Sequence, residues 1–306
     1  MKILITGASG LIGSELVPFL ARGGHQVIIL KRTPGAVASL EPWWNPEAGK
    51  IDLGGLVPFE AVIHLAGENI AQRWTFAAKT RIRDSRVNGT KLLSQALVGL
   101  RQPPKVFICA SATGYYGNRG AELLDEQSAP GTTFLAQVCQ EWEAAAQPAA
   151  KHGIRVVNLR LGIVLTSKGG ALGKMLPAFG LGLGGKLGSG QQYWSWVAID
   201  DLLAIIDHVL GKTGLSGPVN AVSPYPVTNA EFTSTLGTVL RRPTFFNVPA
   251  FAVRLLFGEM GKAAMLASCR ARSARLEQTG FAFQFPKLDG ALQHFIAPGR
   301  PSPSLL

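Results

Sequence analysis

The chain has few groups that could staple it or hold a metal. Its three cysteines, Cys109, Cys139 and Cys269, are far apart, odd in number and form no CxxC pair. That speaks against a disulfide framework or a cysteine zinc site and fits a reducing, cytoplasmic setting. No window of eighteen apolar residues is free of charge or glycine clusters, so no membrane span is expected. The opening MKILITG runs straight into an apolar strand pattern, so no secretory signal is expected either. Histidines His25, His152, His208 and His294 are scattered without an HExxH or paired-carboxylate pattern, and no metal site is expected. Tyrosine is scarce: Tyr115, Tyr116, Tyr193 and Tyr225 are the full set, and none stands four residues before a lysine.

Acidic residues are also scarce, 19 against 30 Lys and Arg, for a formal charge of +11. The cations are spread along the chain, with local groups at Lys79–Arg86 and Arg270–Arg275. Such runs read as solvated faces, and no nucleic-acid partner is expected; a polyanionic small ligand fits the charge better.

What the chain does have is a core. Of 306 residues, 47% are hydrophobic, enough for one large α/β domain or for a domain plus a smaller lobe. Apolar Val/Ile-rich runs at Lys2–Thr6, Gln26–Leu30, Ala61–Leu65, Lys105–Ala110 and Arg155–Leu161 alternate with helical patterns at Leu11–Arg22, Thr75–Leu100 and Thr133–Lys151. Strands apolar throughout and separated by helices predict an α/β fold, a doubly wound parallel sheet of the Rossmann type with its ligand at the carboxyl ends of the strands. Residues 1–165 and about 196–221 are assigned to that domain. Residues 166–195 and 222–297 are assigned to a smaller C-terminal substrate lobe, and 298–306 to a flexible tail. Within the lobe, the glycine-dense stretch Lys168–Gln192 reads as a short helix and a loop closing over a site. Helices are expected at Ala198–Leu210, Asn229–Leu240 (capped by Thr228 or Asn229) and Ala250–Arg275. Trp194 and Trp196 read either as part of a substrate lid or as core anchors. Asp200 and Asp201 read as caps of the next helix.

The most informative stretch is ILITGASGLIGSELVPFL. Gly7, Gly10 and Gly13 lie between a strand and a helix, where they permit a tight turn, a close backbone approach to a pyrophosphate, and close packing of helix on sheet. Ser9, Leu11 and Ile12 complete the loop, whose free amides and helix dipole suit phosphate. Pro18 is expected to kink the helix. At the end of the second strand, QVIILKRT places Lys31 and Arg32 where an NAD site usually carries a carboxylate. Two cations there suit the 2′-phosphate of NADP; the plainer reading is a pair of solvated side chains.

TGASGLIG, KR, VIHLAGENI, QRW, SRVNGT, SATGYYG, WEAAA and LGLGGKLGSGQQYWSWVAIDD follow one another in this chain. In that order they resemble an atypical NADP-binding "epimerase family" within the extended short-chain dehydrogenase/reductases, whose members carry labels such as nucleoside-diphosphate sugar epimerase or SulA-type division inhibitor. The resemblance runs to about Ile296 and includes a small C-terminal domain of unknown function ending GFAFQFPKLDGAL. It implies NADP as cofactor, Lys31 and Arg32 on the adenosine phosphate, Leu65 and Ala66 beside the ribose, Arg81 and Arg86 on a helix near the cofactor, and Val164 near the nicotinamide. A spacing of five turns Arg81 and Arg86 about 140° apart on an ideal helix, which favours Arg86. His64 reads as a packed core residue.

The wider superfamily works with Ser, Tyr and Lys. Here the corresponding helix, TFLAQVCQEWEAAA, puts Leu135 and Cys139 at the Tyr and Lys positions when aligned on Glu143. Ser111 remains as a superfamily residue. Tyr115 or Tyr116 could supply the missing acid, with Arg119 nearby; packing under the loop is the alternative. Cys139 reads as an apolar filler, not a nucleophile. Two classes of function therefore stand. One is an NADP(H)-dependent oxidoreductase or epimerase-like enzyme on an unidentified carbonyl or nucleotide-sugar substrate. The other is a non-catalytic NADP-binding regulator with an unidentified protein partner, for example in cell division.

Overall fold

A strand buried on both faces must send alternate side chains into two covering layers, and β1 (Lys2–Thr6) does so. Ile3 and Ile5 enter one core and Leu4 the other. The computed structural model describes residues 1–32, 41–53 and 58–296. In it β1 joins β2 (Gln26–Ile29), β3 (Ala61–His64), β4 (Val106–Ala112), β5 (Arg155–Leu161) and β6 (Gly217–Ala221) in a six-stranded sheet. The order is β2-β1-β3-β4-β5-β6, and every pairing is parallel. One face is covered by α1 (Gly13–Arg22) through Leu16 and Leu20 and, further along the chain, by residues Leu202, Ile206 and Val209. The other is covered by Leu93 and Leu97 of α2 (Phe76–Val98), Trp142 of α3 (Phe134–Ala145) and Ala149 of α4 (Gln147–Lys151). The chain moves outward from β1 to β2, then returns to β3 on the other side of β1. That reversal opens a crevice at the carboxyl ends of β1 and β3.

A further core gathers residues from Leu165 onward, drawing on both of the expected domains. Leu172 and Phe179 of α5 (Gly170–Gly180) pack with Trp194, Trp196, Phe232 and Leu288. Trp194 is 5% and Trp196 0% exposed, so both are core anchors and not lid residues. The following helix, α6 (Ile199–Gly211), carries Asp200 and Asp201 in its first turn, with Ala198 at the cap position. Asp201 accepts hydrogen bonds from the Gln284 and Phe285 amides at 2.7 and 3.0 Å, fastening the last segment to α6 instead of capping it. At α7 (Asn229–Leu240) Thr228 is the cap. Its hydroxyl accepts from the Glu231 amide, and the Glu231 carboxylate accepts from the Thr228 amide, a reciprocal capping box.

Two expected helices break. The pattern at Thr133–Lys151 divides at Ala146 into α3 and α4, because Pro148 starts a new helix and lacks the amide to continue the old one. The pattern at Ala250–Arg275 ends early: α8 (Ala250–Met260) contains Gly258 at φ 58°, and α9 begins only at Ala274 (Ala274–Gln278). α10 (Leu288–Ile296) adds Leu288, Ala291 and Leu292 to the core around Trp194 and Trp196. α1 runs as one helix through Pro18, which sits on its exposed side. A hairpin of Trp43–Asn45 and Lys50–Asp52 precedes β3 and was not expected. Among the described residues no helix is long and apolar enough to cross a membrane. The tail from Pro298 lies outside the described residues.

Candidate functional site

The loop between β1 and α1 is shaped by what a side chain would strike. A Cβ on Gly7, whose φ is 71°, would lie 2.7 Å from the Leu65 carbonyl carbon and 2.8 Å from the Ala66 nitrogen. Bare backbone at Gly7 thus lets β1 and the end of β3 touch. The Ala66 amide also donates to Thr6 Oγ1 at 3.3 Å. A Cβ on Gly13 would lie 2.2 Å from the Gly7 oxygen, so α1 starts directly on the loop. Gly10 differs. The Gly7 oxygen at 3.3 Å is its one close neighbour, and Ser9 and Gly10 face solvent. A phosphate can therefore approach the backbone from that side. Ile12 occupies the cap position of α1 without a side-chain cap. The Ser14 and Glu15 amides donate to the Gly10 and Ile12 carbonyls, so the Leu11, Ile12 and Gly13 amides are the ones without a backbone acceptor among the described residues and suit an anion. Leu11 reaches across to Gly169 and Gly170, and Lys168 Nζ meets Glu15 Oε1 at 2.6 Å, so the segment ahead of α5 lies against this loop. Val164, in the short strand Ile163–Leu165, is half-buried just before that segment.

Lys31 and Arg32 follow β2 and are exposed. The backbone of Lys31 is held by the hairpin: its amide donates to the Pro42 carbonyl at 3.2 Å and its carbonyl accepts from the Trp44 amide at 2.8 Å. Its ammonium meets Glu41 Oε2 at 2.6 Å. Arg81 and Arg86 of α2 converge despite their angular separation, because both side chains are long. Arg86 Nη1 donates to the Glu68 carbonyl at 3.0 Å, and Arg81 Nε lies 3.8 Å from the Glu68 carboxylate. Arg86 is half-buried, stacks over Trp142 at 5.1 Å and lies beneath Gly67; Arg81 is exposed.

The three catalytic candidates separate. Tyr116 is fully buried; its hydroxyl donates to Asn220 Oδ1 at 2.8 Å and accepts from Arg160 Nη1 at 3.0 Å. Burial pushes its pKa further above the ordinary phenol value, against the pull of Arg160. The expectation for Tyr116 as an acid is therefore corrected: it is a core residue with a satisfied hydroxyl. Ser111 is 1% exposed, and its hydroxyl donates to Glu143 Oε1 at 2.7 Å. Tyr115 alone of the three is partly exposed, with its ring over the Arg160 guanidinium at 3.4 Å and edge-on to Tyr116.

Behind them lies an ion pair that the sequence reading missed. Arg160 Nε and Nη2 donate to the two Glu143 oxygens at 2.8 and 2.9 Å, with the side chains 3% and 12% exposed. The signal was an arginine inside the otherwise apolar strand RVVNLRL, which in a buried strand requires a partner. Leu135 and Cys139 both pack against Gly114 in the TGYY turn. The positions that would hold Tyr and Lys thus support the turn carrying Tyr115. Burial raises the Cys139 pKa to about 11, which keeps it a thiol. Arg119 pairs with Glu122 at 2.6 Å instead of facing the tyrosines.

His64, at the end of β3, lies between Thr6 Oγ1 at 2.6 Å and Thr90 Oγ1 at 3.0 Å and is fully buried. Burial, then the Arg86 charge, lowers its pKa from 6.5 to about 3. The unfolded chain binds this proton from pH 6.5 downward, but the folded protein refuses it until about pH 3. The contribution to stability is complete above pH 6.5 and is lost on acidification, at about 1.4 kcal/mol per pH unit. Urea unfolding at pH 7.5, 6 and 5 should therefore show the stability gap between wild type and His64→Asn narrowing by that slope below pH 6.5. Parallel curves would contradict this assignment.

Residues 3–222 match the NAD dependent epimerase/dehydratase family, and residues 248–295 match a domain of unknown function, DUF1731. Epimerase family protein Mb2239 of Mycobacterium bovis is 44% identical over 292 residues, covering 95% of this chain and 96% of that protein. The crystal structure of human epimerase family protein SDR39U1 (isoform2) with NADPH superposes with a TM-score of 0.88 at 35% identity, covering 96% of this chain and 99% of that one. A nucleoside-diphosphate sugar epimerase from Corynebacterium glutamicum gives 0.79 at 35% identity, covering 96% of this chain but 58% of that longer one. The chain belongs to the NAD dependent epimerase/dehydratase family.

Proposed function

We propose that the protein binds NADP(H) and is an oxidoreductase or epimerase-like enzyme acting on a carbonyl or nucleotide-sugar substrate. The observation that carries the reading is the pair Lys31 and Arg32 following β2, beside a glycine loop whose Gly10 side is open to a pyrophosphate. The NADPH in the human relative supports it. When bound, the cofactor would supply or accept hydride at its nicotinamide. Gly7, Ser9, Gly10, Leu11, Ile12 and Gly13 would cradle the pyrophosphate, with Lys31 and Arg32 on the 2′-phosphate. Leu65 and Ala66 would border the ribose, Val164 the nicotinamide. Arg81 and Arg86 would brace the loop at Gly67 and Glu68.

In this reading Tyr115 exchanges the proton with the substrate oxygen. It is the candidate phenol with access, and Arg160 beneath its ring holds it in place. Ser111 acts through Glu143 as a positioning residue. Tyr115→Phe should lower NADPH-dependent turnover of a carbonyl or nucleotide-sugar substrate by about a hundredfold or more, with NADPH affinity unchanged in calorimetry. Unchanged turnover removes Tyr115 from the chemistry.

A second reading, a non-catalytic NADP-binding regulator with a protein partner, is favoured by the packing of Leu135 and Cys139 on Gly114. That packing leaves no Tyr–Lys pair. Absence of turnover across a broad carbonyl and nucleotide-sugar panel, with NADPH binding retained, would select it.

A further inference from the structure

The clearest feature of the cofactor crevice that the reading above does not use is Glu41. Its Oε2 lies 2.6 Å from Lys31 Nζ, and both side chains are about half exposed, at 54% and 51%. Its place is set by backbone. Lys31 forms a parallel bridge to Trp43, its amide donates to the Pro42 carbonyl, and its carbonyl accepts from the Trp44 amide. Residues 42–44 are therefore registered on the end of β2, and Glu41 emerges beside the lysine. Trp44 is 2% exposed, under Gly89 and against His64, which anchors the hairpin in the core. Arg32 has no such carboxylate in any hydrogen bond or ion pair among the described residues.

We propose that Glu41 is an internal counter-anion for Lys31, one that a 2′-phosphate must displace, and that it thereby sets the NADPH-over-NADH preference. The proposal rests on the NADP(H) reading. A carboxylate and a phosphate cannot share one ammonium without like-charge repulsion. Each NADPH that docks therefore frees Glu41 into solvent, and part of the Lys31–phosphate attraction is spent on the exchange. NADH has no phosphoryl group at that position, so it makes no such demand. With an anchored hairpin, the charge stays near the site even when the pair opens. Its effect on a phosphate within a Debye length then persists, and weakens with salt.

The test is calorimetric titration of wild type, Glu41→Gln, Lys31→Ala and the Glu41→Gln/Lys31→Ala double variant with NADPH, NADH and the fragment adenosine 2′,5′-bisphosphate. Glu41→Gln should tighten NADPH and the fragment about three- to tenfold at low salt and leave NADH within twofold. The gain should shrink in 0.5 M NaCl and vanish on the Lys31→Ala background, the signature of coupling between the two side chains. Unchanged NADPH affinity in Glu41→Gln would overturn the proposal, as would an equal gain for NADH. So would weaker NADH binding, which would make Glu41 an acceptor for the ribose hydroxyl instead. Failure of the underlying reading looks different: wild type would then bind NADPH no better than NADH, and Lys31→Ala would leave both unaltered.

Discussion

Replacing Arg160 by methionine should destabilise the protein by about 3–5 kcal/mol in chemical denaturation, because it leaves the Glu143 carboxylate buried without its cation. The guanidinium donates twice to Glu143, once to the Tyr116 hydroxyl and once to the Glu126 carbonyl, and lies against the face of Tyr115. Although burial opposes its charge, Glu143 and Tyr116 together more than offset this and raise its pKa. The loss should be grossly non-additive. Adding Glu143→Leu removes the orphaned charge, and the Arg160→Met/Glu143→Leu protein should recover a large part of the deficit. If the double variant falls by the sum of the two single losses, the pair is not the unit argued here. The same substitution frees the Tyr115 ring, so turnover should suffer even where the protein stays folded.

This pair also marks where reading the sequence stops short. Five of the six sheet strands were legible because each is an apolar run bounded by turns, and the glycine loop because Gly7, Gly10 and Gly13 sit between a strand and a helix. The sixth strand, GPVNA at Gly217–Ala221, carries a glycine, a proline and an asparagine and gives no such signal. The Trp43–Asp52 hairpin was missed although WWNPEAGKID carries its turn chemistry: Asn45 Oδ1 accepts from the Ala48 amide at 3.0 Å, and Gly49 has φ 62°. Three-residue strands give too little alternation to register. The helix expected at Ala250–Arg275 has helical composition along most of its length, yet its helical turns stop at Met265, and the kink within it at Gly258 depends on one backbone angle that composition does not reveal. Arg81 and Arg86 were separated by helical angle alone, which ignores the reach of a guanidinium. The network of Ser111, Glu143, Arg160, Tyr116 and Asn220 draws on four separated segments of chain, so no local pattern contains it. Tyr115 and Tyr116 are neighbours in the chain, yet Tyr116 lies in the core and Tyr115 is partly exposed.

The choice between NADPH and NADH turns on the charge following β2. Two cations there favour a doubly ionised 2′-phosphate through charge-assisted hydrogen bonds worth about 1.5–3 kcal/mol each. NADH offers a neutral hydroxyl instead. The decisive measurement is isothermal titration of the purified protein and of Lys31→Ala/Arg32→Ala with NADPH and with NADH under one set of conditions. Wild type should prefer NADPH by about a hundredfold or more, and the double variant should lose that preference with its NADH affinity intact. A wild-type protein that holds NADH as tightly as NADPH, or a double variant that keeps the preference, would contradict it.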